Sequence, residues 1–273
     1  MSARPDEAEL LQIAVLAARA AAEELLARFG REPSGVRAKS TPTDPVSAAD
    51  LAAEDAIRQV LARARPDDRI LGEEGGSTGG SRSDAEGEVL QWVVDPLDGT
   101  VNFLYGIPQF GVSVACEDTD GALAGVVLDP VRGECFAATR AGGPTLDGRP
   151  IEGSRTDDLG RALVATGFAY EPAVRAAQAE AVARVLPRAR DIRRAGAAAL
   201  DLCACACGRV DAYYERGVRP WDVAAGQLIC RRAGLTVRHL AAMPARDDLP
   251  LGLPAGILVA PAALADELEA LVA

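Results

Sequence analysis

The stretch Trp92-Val93-Val94-Asp95-Pro96-Leu97-Asp98-Gly99-Thr100 decides how the rest of the chain is read. Its apolar start forms a buried strand, which Asp95-Pro96 breaks. Pro96 restrains the turn, so the side chains of Asp95 and Asp98 and the carbonyl of Leu97 can converge on one cation. Gly99-Thr100 then opens a helix whose free N–H groups point at an anion, with the macrodipole favouring it. Carboxylates for hard divalent cations beside amides for a phosphate describe a metal-assisted phosphate site. An Asx turn with incidental capping is the plainer reading of the same residues.

Upstream, Leu10, Ile13, Ala17, Ala21 and Leu25 keep helical spacing over 5–29, and Gly30 supplies a stop. A polar segment leads to Ser47, which forms a near capping box with Asp50 and opens a helix striped by Leu51, Ile57, Val60, Leu61 and Ala64. Arg69-Ile70-Leu71 reads as a short strand ending in Gly72-Glu73-Glu74, and 75–83 as a surface loop. Downstream, strand-like runs at 110–116, 122–128 and 134–138 precede an Asp147-Gly148 turn, which suggests an antiparallel sheet. The texture then changes to α/β alternation. Strands are expected at 162–166, 210–215, 235–237 and 256–260, and helices at 172–186, 197–207, 222–233 and 261–271. The chain reads as an α+β sub-domain over 1–150 and a smaller α/β sub-domain over 151–273, sharing one interface and without an internal repeat.

Composition narrows the function. The 273 residues are 49% hydrophobic and 25% charged, ordinary for a globular chain with a sizeable core. Acidic residues number 40 against 29 basic ones, a net charge of −11, so the surface should repel nucleic acid and anionic membrane. No apolar run reaches the roughly 18 residues of a membrane helix, and Met1-Ser2-Ala3-Arg4-Pro5-Asp6-Glu7 is unlike a signal peptide. A cytoplasmic protein is expected. A single histidine, His239, argues against a Ser-His-Asp triad or a histidine-based zinc site. The only lysine, Lys39, stands against 28 arginines, which suggests a position that needs a compact ammonium. Cys203, Cys205 and Cys207 alternate in an Ala-rich helical stretch without C-x-x-C spacing. With Cys116, Cys135 and Cys230 they read as buried small thiols.

Other carboxylates strengthen the phosphate-site reading. Glu73 and Glu74 end a different strand, and Asp222 begins a helix in Trp221-Asp222-Val223-Ala224-Ala225-Gly226, whose small residues permit close packing. Trp-Asp at a helix start is by itself an ordinary cap. Glu73, Asp95, Asp98 and Asp222 in one pocket would repel one another unless cations occupied it.

These residues resemble the inositol monophosphatases, part of the lithium-sensitive, magnesium-dependent sugar-phosphatase superfamily. The resemblance rests on Gly72-Glu73-Glu74, on the run from Trp92 through Thr100 to Val101-Asn102-Phe103, and on Trp221 to Gly226, in the family's order. Lys39-Ser40 and Pro45-Val46-Ser47-Ala48-Ala49-Asp50 also resemble its N-terminal segment. The likeness implies a layered αβαβα sandwich, a homodimer and two to three Mg²⁺ per active site. It implies that Glu73, Asp95 and the Leu97 carbonyl hold one ion, that Asp95, Asp98 and Asp222 hold a second, and that Glu73 shares a third. Thr100 and Asp50 would pair and, with Glu73, activate the attacking water; the Gly99 and Thr100 amides would bind phosphate. Lys39 would lie on a mobile loop near the metals. With no spare histidine, the nucleophile should be water whose pKa a metal lowers from about 15.7 toward neutrality.

The same resemblance addresses the substrate. Glu215, ending a strand in Asp211-Ala212-Tyr213-Tyr214-Glu215, matches a glutamate that binds inositol hydroxyls, a role suited to a bidentate acceptor. Asp98 and the backbone at Gly196 and Ala198 match the other ring contacts, and Phe168 replaces a serine of animal members. The expected activity is Mg²⁺-dependent hydrolysis of myo-inositol 1-phosphate and related polyol phosphates. A histidinol-phosphate phosphatase is the nearest alternative, since Glu215 would also bind its amine. A non-catalytic regulatory binding protein is the second, and a self-repelling acid cluster argues against it.

Overall fold

A computed structural model of the protein describes residues 6–39, 41, 44–79, 90–245 and 252–273; Ser40 and the N-terminal Met1 to Pro5 lie outside them. α1 (Glu7–Leu26) begins at Asp6, whose side chain accepts the Ala8 amide at 2.9 Å, and buries Leu10, Ile13, Ala17, Ala21 and Leu25 as their spacing predicts. The two-residue strands β1 (Arg37–Ala38) and β2 (Pro45–Val46) pair antiparallel and lead into α2 (Ala48–Ala64). Ser47 and Asp50 form the capping box of α2. The α2 stripe differs from expectation: Leu51 and Ala64 are exposed, while Asp50 and Glu54 are buried with Ala49, Ala53, Ile57 and Leu61. Both acids find hydrogen-bond donors inside, and these offset the loss of water.

A sheet of eight strands among the described residues follows: β3 (Arg69–Gly72), β4 (Gly76–Gly79), β5 (Gln91–Asp98), β6 (Gly111–Asp118), β7 (Gly121–Asp129), β8 (Glu134–Thr139), β9 (Thr145–Leu146) and β10 (Arg149–Pro150). Their order is β10-β9-β8-β7-β6-β5-β3-β4, and every neighbouring pair is antiparallel except β3 with β5. Two sequence expectations change here. The segment 76–79, taken as loop, is an edge strand on β3, while 80–83 lies outside the described residues. Strand β5 does not break at Asp95 but runs through Pro96 to Asp98, with an irregular register between Asp95 and Asp98. A proline has no N–H for the ladder, and a bulge is where a strand accommodates one.

After α3 (Thr100–Leu104) and the large sheet, a second sheet is built from β11 (Leu163–Thr166), β12 (Asp191–Arg193), β13 (Ala212–Arg216), β14 (Thr236–Leu240) and β15 (Gly256–Ala260) in the order β12-β11-β13-β15-β14. Its helices are α4 (Pro172–Val185), α5 (Ala198–Ala206), α6 (Pro220–Arg232) and α7 (Ala262–Val272). Residues alternate between faces along each strand. Trp92, Val94 and Val114 therefore pack under α1 and α2, whereas Val93, Ala115 and Val127 pack under α5 and α6. Those two helices also receive Ala165, Tyr213 and Val259 from the small sheet, whose opposite face, with Val164, Ala212 and Leu258, meets Val185 of α4 and Leu264 of α7. The result is an αβαβα sandwich with α5 and α6 in its middle layer.

Small residues set how closely that layer docks. A Cβ on Gly125 of β7 would lie 2.9 Å from the Ala225 Cα, and one on Gly226 would lie 2.6 Å from Leu202 Cδ1. Gly125→Val is expected to destabilise the protein by about 1–3 kcal/mol through overpacking. An unchanged midpoint in chemical denaturation would refute this account of α6 docking.

Candidate active site

Strands β3 and β5 run parallel with Gly72 beside Val94, and the Glu73 amide bonds the Val94 carbonyl at 3.3 Å. Glu73, just past the end of β3, therefore lies beside Asp95 of β5. Asp95 shares the face of Val93 and points toward the middle helices. On the next strand Ser113, the register partner of Asp95, donates its hydroxyl to the Trp221 carbonyl at 3.0 Å. This ties the start of α6, and with it Asp222, to the ends of β5 and β6.

Three helix N-termini converge on the site, and a site carboxylate caps each of them. Asp50 accepts the Ser47 amide at 2.8 Å and the Ser47 hydroxyl at 2.6 Å at the start of α2. Asp98 accepts the Ala199 amide at 2.7 Å at the start of α5, whose own N-cap, Ala197, has no side chain to offer. Asp222, third residue of α6 rather than its first, accepts the Arg219 amide at 2.6 Å. Partial positive charge at these termini offsets part of the repulsion among the acids.

The repulsion remains large. Burial, and then the charges of Glu73, Asp98 and Asp222, push the Asp95 carboxyl well above the usual range. Burial and Asp222 do the same to Asp98 against the pull of the Ala199 amide, and burial raises Asp222 with Glu73 and Glu215 adding to it. Asp95 lies in hydrogen-bonding range of both Glu73 and Asp222. Several of these carboxylate oxygens accept hydrogen bonds from within the protein: Asp95 from the Leu97 amide, Asp98 from the Ala199 amide, Asp222 from the Arg219 amide and Glu73 from one ammonium. Accordingly, among the described residues, no three such side chains form a group that could hold a metal ion as they stand.

The ammonium belongs to Lys39, which bonds Glu73 Oε1 at 2.7 Å and also Glu74 Oε1. Burial would lower its pKa, but the two glutamates outweigh burial and hold it high. Burial pushes Glu74 up to about 7 despite Lys39. The lone lysine is thus seated in the carboxylate mouth.

Thr100 Oγ1 lies 3.0 Å from Asp50 Oδ1 and 3.1 Å from the Leu97 carbonyl. Gly99 has φ +94°, a conformation that favours glycine, and a Cβ there would sit 3.0 Å from the Gln109 carbonyl and 3.3 Å from that of Gly196. The helix it opens spans only Thr100–Leu104. Its amides remain, but one turn of helix adds little macrodipole.

Gly196 and Ala197 sit across from Gly99, and Ala198 follows them as the first residue of α5. Asn102 secures that side by donating to the carbonyls of Gln109 at 2.7 Å and Ala195 at 2.9 Å. Glu215, the penultimate residue of β13, faces inward rather than standing exposed. Tyr213 donates its hydroxyl to it at 2.6 Å, and its charge reaches Asp98 and Asp222. Burial raises the Glu215 pKa against the pull of Tyr213 and Arg194. Arg194 in turn lies 5.8 Å from the centre of the Phe168 ring.

Near the site, sequence reasoning missed two buried acids, Glu54 and Asp201. Glu54 receives the amides of Glu74 and Gly75. Asp201, in the first turn of α5, has an Oδ2 with no partner, and burial with Glu215 pushes its carboxyl up to about 8. Each stands on the apolar stripe of its helix, and that misplacement was the available signal. The cysteines are buried or half-buried free thiols, as expected.

A model of the inositol monophosphatase family matches residues 6–272. The inositol-1-monophosphatase of Mycobacterium leprae is 48% identical, over 86% of this chain and 80% of its own. A protein of Xylella fastidiosa named Nus factor SuhB is 43% identical, over 82% of this chain and 79% of its own. The crystal structure of the extragenic suppressor protein suhB from Bartonella henselae matches with a TM-score of 0.84 at 32% identity, covering 96% of this chain and 98% of that one. Sequence, fold and the clustering of acids at the ends of β3 and β5 agree: the chain belongs to the inositol monophosphatase family.

Proposed function

We propose that this protein is a Mg²⁺-dependent phosphomonoesterase that hydrolyses inositol 1-phosphate and related polyol phosphates by direct attack of water. The observation that carries the reading is the meeting of Glu73, Asp95, Asp98 and Asp222 beside the Thr100–Asp50 pair. The donor set fits hard divalent cations: all the side-chain ligands are oxygens, and the acids are buried against one another with raised pKa values that a cation would relieve. Glu73, Asp95 and the Leu97 carbonyl would hold one ion, and Asp95, Asp98 and Asp222 a second, with Glu73 sharing a third. Bound cations would supply charge that acidifies water and neutralises the ester oxygens.

The chain's own residues do the rest. Asp50, fixed through Oδ2 by Ser47, presents Oδ1 to the Thr100 hydroxyl. Thr100 Oγ1 can then accept a hydrogen bond from the incoming water while its own O–H donates to Asp50 Oδ1. A water oxygen bonds phosphorus as the P–O bond to the alcohol breaks; of the water's two protons, one ends on the departing alkoxide, which leaves as the alcohol, and the other stays on the phosphate. The Gly99 and Thr100 amides hold the phosphate. Asp98, Glu215 and the backbone at Gly196 and Ala198 bind the polyol, with Arg194 over Phe168 at the same side of the cleft. In this reading residues 1–150 carry most of the metal ligands, and 151–273 carry Asp222 and the substrate contacts. It also takes the protein as a cytoplasmic homodimer with no nucleic-acid or membrane partner. The net charge of −11 supports the last point, since it repels nucleic acid and anionic membrane surfaces.

The Xylella relative, named for a Nus factor, supports a second reading, a regulatory binding protein. A Mg²⁺-titrated phosphate-release panel over inositol 1-phosphate, histidinol phosphate and an aryl phosphate separates the readings; no release from any ester would favour the regulator. In the same panel Glu215→Gln is expected to lower kcat/KM for inositol 1-phosphate by about 10- to 150-fold, the worth of a charged hydrogen bond. The aryl phosphate should be nearly unaffected. Equal losses on both esters would remove Glu215 from substrate recognition.

A further inference from the structure

Glu54 takes no part in the steps above, yet it is only 3% exposed. A carboxylate is almost never buried that deeply unless something holds it. It stands one turn after Asp50 on the same face of α2. Its Oε2 accepts the Glu74 amide and its Oε1 the Gly75 amide, each at 2.8 Å. Arg58, one turn further on, donates Nε to Oε1 at 2.8 Å and reaches the Gly76 carbonyl at 3.0 Å. Those amides belong to the turn from β3 to β4, which carries Glu73 and Glu74. Hydrogen bonds from amides to a charged acceptor are about twice as strong as neutral ones, and two of them on one carboxylate fix both the place and the direction of the turn.

The neighbouring glycines are shaped around this contact. A Cβ on Gly72 would come within 2.7 Å of the Glu54 carboxyl, and one on Gly75 would lie 2.6 Å from its Oε1 and 2.7 Å from Arg58 Nη2. Neither glycine has a positive φ, so their smallness answers to the space Glu54 fills and not to backbone conformation.

We propose that Glu54 is a positioning residue of the candidate metal centre: braced by Arg58, its carboxylate clamps the Glu74 and Gly75 amides, and so aims Glu73 at Asp95 and Glu74 at Lys39. The clamp is independent of catalysis, whereas its consequence for cation binding rests on the phosphatase reading. Glu54→Gln places an amide donor against backbone N–H groups and breaks one side of the clamp. In the metal-free full-length variant, hydrogen exchange of the Glu74 and Gly75 amides should quicken by at least about tenfold, with the rest of the large sheet unchanged. Mg²⁺ affinity by calorimetry should weaken by about 10- to 100-fold, the usual effect of losing a group that orients a ligand, and kcat should fall with it while KM for the ester holds.

Gly75→Ala is the second variant, because its Cβ displaces Glu54 without removing the charge. It should shift the same readouts in the same direction, and it carries the test if Glu54→Gln does not fold. Mg²⁺ affinity equal to wild type in the folded variants would overturn the proposal, and so would exchange that quickens across the whole sheet. Wild-type protein that binds no Mg²⁺ would instead defeat the phosphatase reading, and amide exchange would still decide the clamp.

Discussion

Asp95→Asn is expected to lower turnover by at least about a thousandfold, the equivalent of roughly 4 kcal/mol of lost transition-state stabilisation. The variant should stay folded. Asp95 is 1% exposed, and its Oδ1 accepts the Leu97 amide at 3.0 Å, a bond asparagine can keep. What changes is charge. Asp95 lies between Glu73, Asp98 and Asp222, and all three push its pKa upward. Without metal, a neutral amide there relieves repulsion, so the variant should unfold at the same temperature as wild type or higher. Added Mg²⁺ should raise the wild-type midpoint, because a ligand that binds only the folded state stabilises it, and should raise the variant's far less. Phosphate release and thermal unfolding with and without Mg²⁺ check both halves. Near wild-type turnover would refute the central place given to Asp95.

Thr100→Val is expected to lower kcat by about 100- to 10,000-fold, the range for a positioned proton-transfer group. Valine keeps the shape but removes Oγ1, which lies 3.0 Å from Asp50 and 3.1 Å from the Leu97 carbonyl. Asp50 Oδ1 then loses its partner inside the protein, which costs about 1–3 kcal/mol of stability. Thr100→Ser restores the hydroxyl and should recover most of the activity. If the serine and valine variants are equally inactive in single-turnover assays, the hydroxyl is not the operative group and the Asp50 pairing is merely structural.

The two variants differ in what the sequence makes visible. Asp95 and Asp98 are legible because proline, glycine and a preceding apolar run act locally, within one turn of chain. The Ser47–Asp50 cap and the α1 stripe are legible for the same reason. Leu51 misled the reading of α2, because periodicity assumes that acids face water, while Asp50 and Glu54 are buried by partners from other elements. The run through Pro96 looked like a break because a bulge depends on the neighbouring strand. Glu215 was legible only through the family resemblance, because its inward setting depends on the Tyr213 hydroxyl that bonds it and on the nearby Asp98 and Asp222.

The amino-acid sequence alone determined the short-range features: which segments are amphipathic, where helices begin, and which stretches can offer several oxygens to a cation or amides to a phosphate. Only the tertiary structure decided that the starts of α2, α5 and α6 meet at the ends of β3 and β5, that Lys39 sits against Glu73, and that Glu54 holds the turn carrying it. The reason is physical. Propensity and capping act over a few residues, whereas burying a charge depends on donors brought from distant segments by the packing of two sheets around one helical layer.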